Sequence, residues 1–123
     1  MNGDPLTITV KAPGPLMNMN DHHHWRVRGP AAKAWRLAAF IAATNGDHHD
    51  FYPSWVQLSL PVADKRRRDP HNYAPTVKHV IDGLVDAGVW PDDTPEWVTT
   101  IEPLLRVDRG GPVLVHIWPR AAA

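Results

Sequence analysis

Two short segments of the chain have the residue pattern of β-strands. The first, Leu6–Val10, is rich in β-branched residues, and in the second, residues 55–62, aliphatic side chains alternate with Gln57 and Ser59. Alternation of this kind is typical of a strand with one buried face. Pro61 cannot donate a hydrogen bond to a neighbouring strand, so we expect it at a frayed or edge part of the sheet.

Two longer segments carry apolar residues at helical spacing, which predicts two amphipathic helices. The first segment follows Gly29-Pro30, and its apolar stripe consists of Ala34, Leu37, Ala38, Ile41 and Ala42. The stripe of the second segment consists of Val77, Val80, Ile81, Leu84 and Val85. We expect the first helix to end near Asn45-Gly46, and the second to begin between residues 72 and 76 and to end at Gly88.

The last part of the chain has the pattern of two more strands. They cover residues 97–107, interrupted by Pro103, and residues 112–118, and Arg109-Gly110-Gly111 joins them. The predicted order is therefore β-α-β-α-β-β. This order indicates an α+β fold in which two main helices pack on a small mixed β-sheet. A chain of 123 residues fits a single domain, which we expect to span residues 1–123.

Composition restricts the chemistry that the chain can perform. With 13 basic and 13 acidic residues the formal net charge is zero, so attraction to nucleic acid must come from local clusters of charge. Because there is no cysteine, metal ligands must be carboxylates or imidazoles. The first twenty residues lack the apolar block of a signal peptide or a membrane span, so we expect a soluble intracellular protein with no membrane partner.

A basic run leads directly into a possible metal-binding turn. Lys65, Arg66, Arg67 and Arg68 precede Asp69-Pro70-His71-Asn72. Asp69 and His71 are two residues apart, so in an extended loop both side chains can reach one cation. Asp-Pro and His-Asn are also ordinary turn formers, and a basic run is often a solvated loop. Phosphate-attracting charge beside candidate metal ligands nevertheless suggests a nuclease.

The basic run and the turn are followed by a helical segment and an acidic pair, and the residues that form this motif are Arg66, Arg67, Arg68, Asp69, Asn72, Lys78, Asp82, Leu84, Ala87, Gly88, Trp90, Asp92 and Asp93. By this motif the central part of the chain resembles the RusA-like Holliday junction resolvases, which are metal-dependent homodimeric endonucleases that cut four-way DNA junctions. Two features depart from the family pattern. His71 replaces its second acidic residue, and the spacing from Asn72 to Lys78 is three residues longer, close to one helical turn.

The resemblance implies a role for each matched residue. Asp69 and Asp93 would bind Mg²⁺, His71 would stand where the family has a carboxylate, and Asp92 would be a possible further ligand. Lys78 would stabilise charge on the phosphoryl group, although it could equally form a surface ion pair with Asp82. Because imidazole suits Mn²⁺ better than Mg²⁺, the His71 substitution favours Mn²⁺. The resemblance also implies the cytoplasm of a bacterial or phage-infected cell.

The expected DNA contacts come from two places in the chain. The basic run Lys65 to Arg68, together with Asn72, would contact branched DNA, and Trp25, Arg26 and Arg28 would add contacts from the early loop. The adjacent histidines 22–24 fit an exposed loop better than a metal site, since three consecutive side chains cannot face one ion. Two other functions remain open, a junction-binding protein that no longer cleaves DNA and a small RNA-binding or regulatory domain.

Overall fold

The structure is a computed structural model, and it describes residues 3–21, 25–45 and 52–121. Within these residues the fold consists of five strands and two α-helices. In chain order the elements are β1 (Leu6–Val10), α1 (Trp25–Thr44), β2 (Ser54–Val62), α2 (Ala74–Asp86), β3 (Val98–Thr100), β4 (Leu104–Val107) and β5 (Val113–Pro119). The predicted α+β class, with two helices and a mixed sheet, is confirmed. The histidine tract 22–24 and the polar linker 47–50 lie outside the described residues. Neither helix is long and apolar enough to cross a membrane.

The sheet is mixed because its central strand has neighbours in both directions. β1 pairs antiparallel with β5, β5 pairs antiparallel with β2, and β2 pairs parallel with both β3 and β4. The register places Ile8 and Leu58 on either side of Val115, and all three side chains are buried. The hydrophobic core therefore lies between this face of the sheet and the two helices.

The strand predicted over residues 97–107 is two short strands, so the element order gains one strand at this point. β3 pairs with the first half of β2, and β4 pairs with its second half. The chain leaves the sheet between them at Pro103, which cannot donate a hydrogen bond to β2. Pro61 lies beyond Ser59, the last residue of β2 that pairs with β5, so the edge position predicted for this proline is confirmed.

The first helix begins earlier than the sequence pattern indicates. Residues 25–28, expected in a loop, form the first turn of α1, and Pro30 lies inside the helix. The sequence pattern placed Gly29-Pro30 ahead of the helix, where a missing N–H costs no helical hydrogen bond. In the structure Pro30 instead removes one hydrogen bond, to the carbonyl of Arg26, without ending the helix.

The apolar stripe predicted for α1 is also wrong in part. The buried residues of α1 are Trp35, Ala39 and Ala43, whereas Leu37 and Ile41 are 56% and 49% exposed. Trp35 fills the core and donates its indole N–H to the carbonyl of Pro15, at 3.2 Å. A helix rich in alanine offers two neighbouring apolar faces, and the large aromatic side chain decides which of them is buried.

The two helices cross at a pair of small residues. A Cβ atom at Gly83 of α2 would overlap the carbonyl oxygen of Arg36 and lie 2.7 Å from the Cβ of Ala39, both in α1. At the edge of this contact the Arg36 guanidinium makes two hydrogen bonds to the carboxylate of Asp86, one of 2.7 Å. These bonds lower the pKa of Asp86. The position of α2 over the sheet therefore depends on the absence of a side chain at Gly83.

The limits predicted for α2 are confirmed. The helix begins at Ala74, with Pro75 in its first turn, and ends before Gly88, which has a φ of 85°. Beyond this glycine the Val89 N–H donates to the carbonyl of Leu84, at 3.0 Å, as in a Schellman motif. The motif turns the chain so that Trp90 is buried and donates its indole N–H to Ser54. The buried Trp90 fixes the position from which the chain continues to Asp92 and Asp93.

Candidate metal and nucleic-acid site

Three side chains near one end of α2 lie close enough together that they could hold one metal ion. Asp69, His71 and Glu102 each offer a ligand atom, and these atoms lie within 4.8 Å of one another. The imidazole Nε2 of His71 is 3.0 Å from the Glu102 carboxylate. All three residues are exposed, so the cluster is accessible to a large substrate. The chemistry is that of two carboxylates and one imidazole, as the absence of cysteine requires.

A single helical turn holds Asp69 and His71 in place. Pro70–Tyr73 forms a one-turn 3-10 helix immediately before α2, and Asp69 is its N-cap. One carboxylate oxygen of Asp69 accepts a hydrogen bond from the backbone N–H of His71, at 3.0 Å. This cap satisfies a helix-end donor and fixes the relative positions of the two side chains, while a carboxylate keeps a second oxygen for other contacts. Asp-Pro-His-Asn therefore forms a turn that also holds two candidate metal ligands close together.

Glu102 reaches the cluster from the connection between β3 and β4, and the sequence analysis did not single it out. The carbonyl of Glu102 accepts a hydrogen bond from the Gln57 side chain, at 2.9 Å, and the Ile101 N–H donates to Val56, at 2.8 Å. Both contacts fasten the connection to β2. The only local signal is an acidic residue next to Pro103, which is too common to identify a ligand.

Beside the cluster lies a cleft of about 450 Å³, which we call the site cleft. One face of α2 forms its wall, through Ala74, Val77, Lys78 and Ile81. The longer spacing before Lys78 is therefore compatible with a place beside the cluster. The Lys78 ammonium group also lies 3.6 Å from Asp82, and its side chain is 66% exposed. Lys78 thus makes the surface ion pair considered above and borders the site cleft at the same time.

The two adjacent aspartates after α2 have different surroundings. Asp93 lines the site cleft together with His71, Lys78 and Glu102. Asp92 instead accepts a hydrogen bond from the backbone N–H of Thr94, at 2.8 Å, and this bond lowers the pKa of Asp92. Asp92 belongs neither to the cluster nor to the lining of the site cleft. From the predicted set, the structure therefore places His71, Lys78 and Asp93 along the site cleft and Asp69 beside His71 in the cluster. Asp93 is not one of the three residues of the cluster, where Glu102 stands instead, and Asp92 serves the turn.

The four cations of the basic run, like the two aspartates, have different surroundings. Lys65, Arg66 and Arg67 are exposed on the loop that leads into the cluster. The Arg68 side chain is only 12% exposed, because its guanidinium bonds the carboxylate of Asp64 at 2.9 Å and two backbone carbonyls of the same loop. The Arg66 N–H and then the Arg68 guanidinium lower the pKa of Asp64. Arg68 thus shapes the loop that presents the other three cations.

The remaining predicted DNA contacts lie beside a different face of α2 from the cluster, since Trp25 and Arg28 share a cleft with Pro75 and His79. Trp25, Arg26 and Arg28 are exposed on the first turn of α1, and the Arg26 guanidinium lies 5.7 Å from the ring centre of Trp25. The backbone of Asn72 connects the two sides, since its carbonyl accepts a hydrogen bond from the Met19 N–H, at 2.7 Å.

The chain matches no protein-family model, and no curated protein matches it significantly. The functional inference is therefore carried by the motif residues and by the geometry of the cluster and the site cleft.

Proposed function

We propose that this protein is a RusA-like Holliday junction resolvase, a divalent-metal-dependent endodeoxyribonuclease that hydrolyses phosphodiesters in four-way or branched DNA. The observation that carries the proposal is the convergence of Asp69, His71 and Glu102 within 4.8 Å beside a cleft that contains Lys78. A loop with three exposed cations leads directly into this cluster. The combination provides metal ligands, a cationic side chain and phosphate-binding charge at one end of the molecule.

The residues of the cluster fit a divalent cation. Two ligands of one ion can be separated by at most twice the metal–ligand distance, about 4.2 Å for Mg²⁺ and somewhat more for larger ions. The ligand atoms of the cluster lie within 4.8 Å of one another, slightly more than that span, so binding one ion would require the side chains to move closer together. A mixed carboxylate and imidazole set favours Mn²⁺ over Mg²⁺. When bound, such a cation supplies charge stabilisation and an activated water for phosphodiester hydrolysis.

The other residues of the site cleft support the same chemistry. Lys78 places an ammonium group where it can neutralise charge on the phosphoryl oxygens. Asp93 adds a carboxylate to the same cleft, where it can accept a proton or complete the ligand set. Lys65, Arg66 and Arg67 can hold the flanking phosphates, a contribution that does not depend on DNA sequence.

Branched DNA is the substrate that suits a two-fold arrangement of such sites. A four-way junction has approximate two-fold symmetry and must be cut on two strands, so a homodimer would place one cluster at each strand. In this proposal the protein acts on recombination or phage DNA intermediates in the cytoplasm of a bacterial or phage-infected cell.

One observation favours a second candidate function, a junction-binding protein that has lost cleavage. His71 stands in place of a family carboxylate, and it lies 3.0 Å from Glu102. When His71 is protonated, the two side chains neutralise each other without a metal ion. A protein in this state would keep the basic loop and bind junctions, but it would not hydrolyse them.

A cleavage assay on a synthetic four-way junction, beside linear duplex of the same sequence, separates these functions. In Mn²⁺ or Mg²⁺ we expect nicking of the junction, and in EDTA we expect binding alone. Asp69→Asn should abolish nicking and leave junction binding intact, because it removes one ligand and one negative charge near phosphate.

The contribution of Glu102 can be tested by direct Mn²⁺ titration, independently of activity. Glu102→Gln should weaken Mn²⁺ binding at least tenfold, whereas Glu96→Gln, the same change at an exposed residue outside the site cleft, should not affect it. Equal Mn²⁺ affinity in both variants would remove Glu102 from the ligand set. Junction binding without nicking in either metal would favour the second candidate.

A further inference from the structure

A second cleft lies beside a different face of α2, between the loop of residues 15–21 and the first turns of both helices. We call it the apolar cleft, and its volume of about 510 Å³ is within the usual range for ligand sites. Six apolar side chains of its lining are Met17, Met19, Trp25, Val27, Ala32 and Pro75. Trp25, Met19 and Val27 are among the most exposed large apolar residues of the described chain, at 65%, 59% and 54%. Their exposure is thus concentrated in one place.

The loop wall of the apolar cleft is fastened to the helices. The Met17 N–H donates to the hydroxyl of Thr76, at 2.7 Å, and this hydroxyl donates to the Met17 carbonyl, at 2.9 Å. The Met19 N–H donates to Asn72, and the carbonyl of Pro15 accepts from Trp35. Thr76 is fully buried. Because the wall is held at three points by partly buried contacts, the apolar cleft is already formed before any ligand arrives.

The first turns of α2 separate the apolar cleft from the metal cluster. Ala74 and Lys78 line the site cleft, while the adjacent residues Pro75 and His79 line the apolar cleft. A helix with its side chains is about 10 Å across, which corresponds to roughly three stacked nucleotides. A strand whose phosphate lies at the cluster can therefore place a nearby nucleotide at the apolar cleft.

The polar groups around the apolar cleft suit an aromatic ligand attached to an anion. Arg28 is part of the lining, as is the acidic residue Asp21. The Arg26 guanidinium lies over the Trp25 ring, 5.7 Å from its centre, so a base would stack on the other face of the indole. His79 provides a ring nitrogen able to hydrogen-bond the edge of a base. An exposed indole offers a flat surface for stacking, which is how proteins hold single bases without reading their sequence.

We propose that the apolar cleft holds one unstacked nucleobase of the DNA strand that crosses α2 from the metal cluster, with Trp25 as the stacking surface. This inference rests on the proposed function, since it takes branched DNA as the ligand. Without divalent metal the arms of a four-way junction do not stack on one another, so bases at the crossover lack one stacking neighbour and are the least costly to displace. The apolar cleft would then fix the position of the strand relative to the cluster.

The test uses four-way junctions that carry 2-aminopurine at single positions, with the full-length protein in EDTA so that no cleavage occurs. Binding of the wild type should change the fluorescence of 2-aminopurine at positions within about three nucleotides of the cleaved phosphate. Trp25→Ala should abolish this change and weaken junction binding by about 5- to 150-fold, the equivalent of one base–aromatic stack. Trp25→Phe should keep most of both, because it keeps an aromatic face.

Two further variants separate the apolar cleft from general hydrophobic effects. Ala32→Leu fills the cleft and should weaken the fluorescence change in the same way as Trp25→Ala. Leu37→Ala removes a similarly exposed side chain of α1 outside the cleft and should change nothing. Thermal melting identifies any variant that fails to fold. If Trp25→Ala is unfolded, the 2-aminopurine signals of Trp25→Phe and Ala32→Leu test whether a base occupies the apolar cleft.

The outcomes distinguish this inference from the proposed function. Normal metal-dependent nicking by Trp25→Ala, with an unchanged 2-aminopurine signal, would overturn the base site and leave the nuclease intact. Failure of the wild type to bind or cut branched DNA would overturn both. Tighter binding of a ribonucleotide strand than of its DNA counterpart, with the same dependence on Trp25, would make RNA the ligand and reject the DNA assignment.

Discussion

Gly83→Ala should destabilise the protein, although a glycine-to-alanine change in a solvent-exposed helix usually stabilises that helix. Alanine is favoured over glycine inside a helix by about 1 kcal/mol. At Gly83, however, the new Cβ would overlap the carbonyl oxygen of Arg36 and lie 2.7 Å from the Cβ of Ala39. Both obstacles belong to the backbone or to the rigid part of a side chain, so α1 and α2 must move apart to accept the methyl group.

The magnitude follows from the two opposing effects. Overpacking a tight contact costs about 1 to 3 kcal/mol, and the upper end applies because backbone atoms cannot turn away. After the helix preference of alanine is subtracted, we expect the free energy of unfolding to fall by about 2 kcal/mol. For a domain of this size the melting temperature should fall by roughly 8 °C.

Urea unfolding followed by tryptophan fluorescence, together with thermal melting by circular dichroism, measures this effect. Gly14→Ala, where a Cβ would meet nothing within 4 Å, is a control for an added methyl group outside a helix. Adding Ala39→Gly to Gly83→Ala should restore only part of the loss, because the Arg36 carbonyl remains in the way. A Gly83→Ala protein as stable as the wild type would refute the close crossing of α1 and α2.

Three further outcomes are expected. His71→Asp should raise the rate of junction nicking in Mg²⁺ relative to Mn²⁺, and an unchanged ratio would mean that His71 is not a ligand. Replacing Arg66 and Arg67 by alanine should reduce the slope of log affinity against log salt concentration by about 2, as measured by salt titration of DNA binding. Arg68→Ala should mainly destabilise the loop, which increased cleavage of the loop by a protease would reveal. Burial, and then the charge of Arg106, lower the pKa of His116 below its ordinary value of 6.5. The unfolded chain therefore binds a proton at His116 more readily than the folded protein does, so the free energy of unfolding falls as the pH drops below 6.5. Since His116→Gln removes this group, the melting temperature of the variant should depend less on pH between pH 7 and 5.

Much of the fold follows from patterns that are local in the chain. The strand Leu6–Val10, the alternation along β2 and the limits of α2 depend on residues no more than four positions apart, on Pro75 and on Gly88. The same is true of Asp69 and His71, since a single capped turn sets their relative positions. Local side-chain spacing and local backbone hydrogen bonds are sufficient to specify these features.

The buried face of α1 depended on tertiary structure. Its alanines make both candidate faces apolar, and only the close contact of Ala39 with Gly83 and the burial of Trp35 select one of them. Packing density, rather than hydrophobic spacing, distinguishes the two faces, and packing density is a property of the assembled helices.

The composition of the cluster also depended on tertiary structure. Glu102 meets His71 because β3 and β4 pair in parallel with β2, and the chain between them is fastened to Val56 and Gln57. Parallel neighbours join residues that are far apart in the chain, so no local spacing can predict this contact. The cleft that Lys78 lines also depends on tertiary structure. Packing on the sheet fixes the rotation of α2 about its axis, and this rotation places Lys78 at the site cleft and Pro75 and His79 at the apolar cleft.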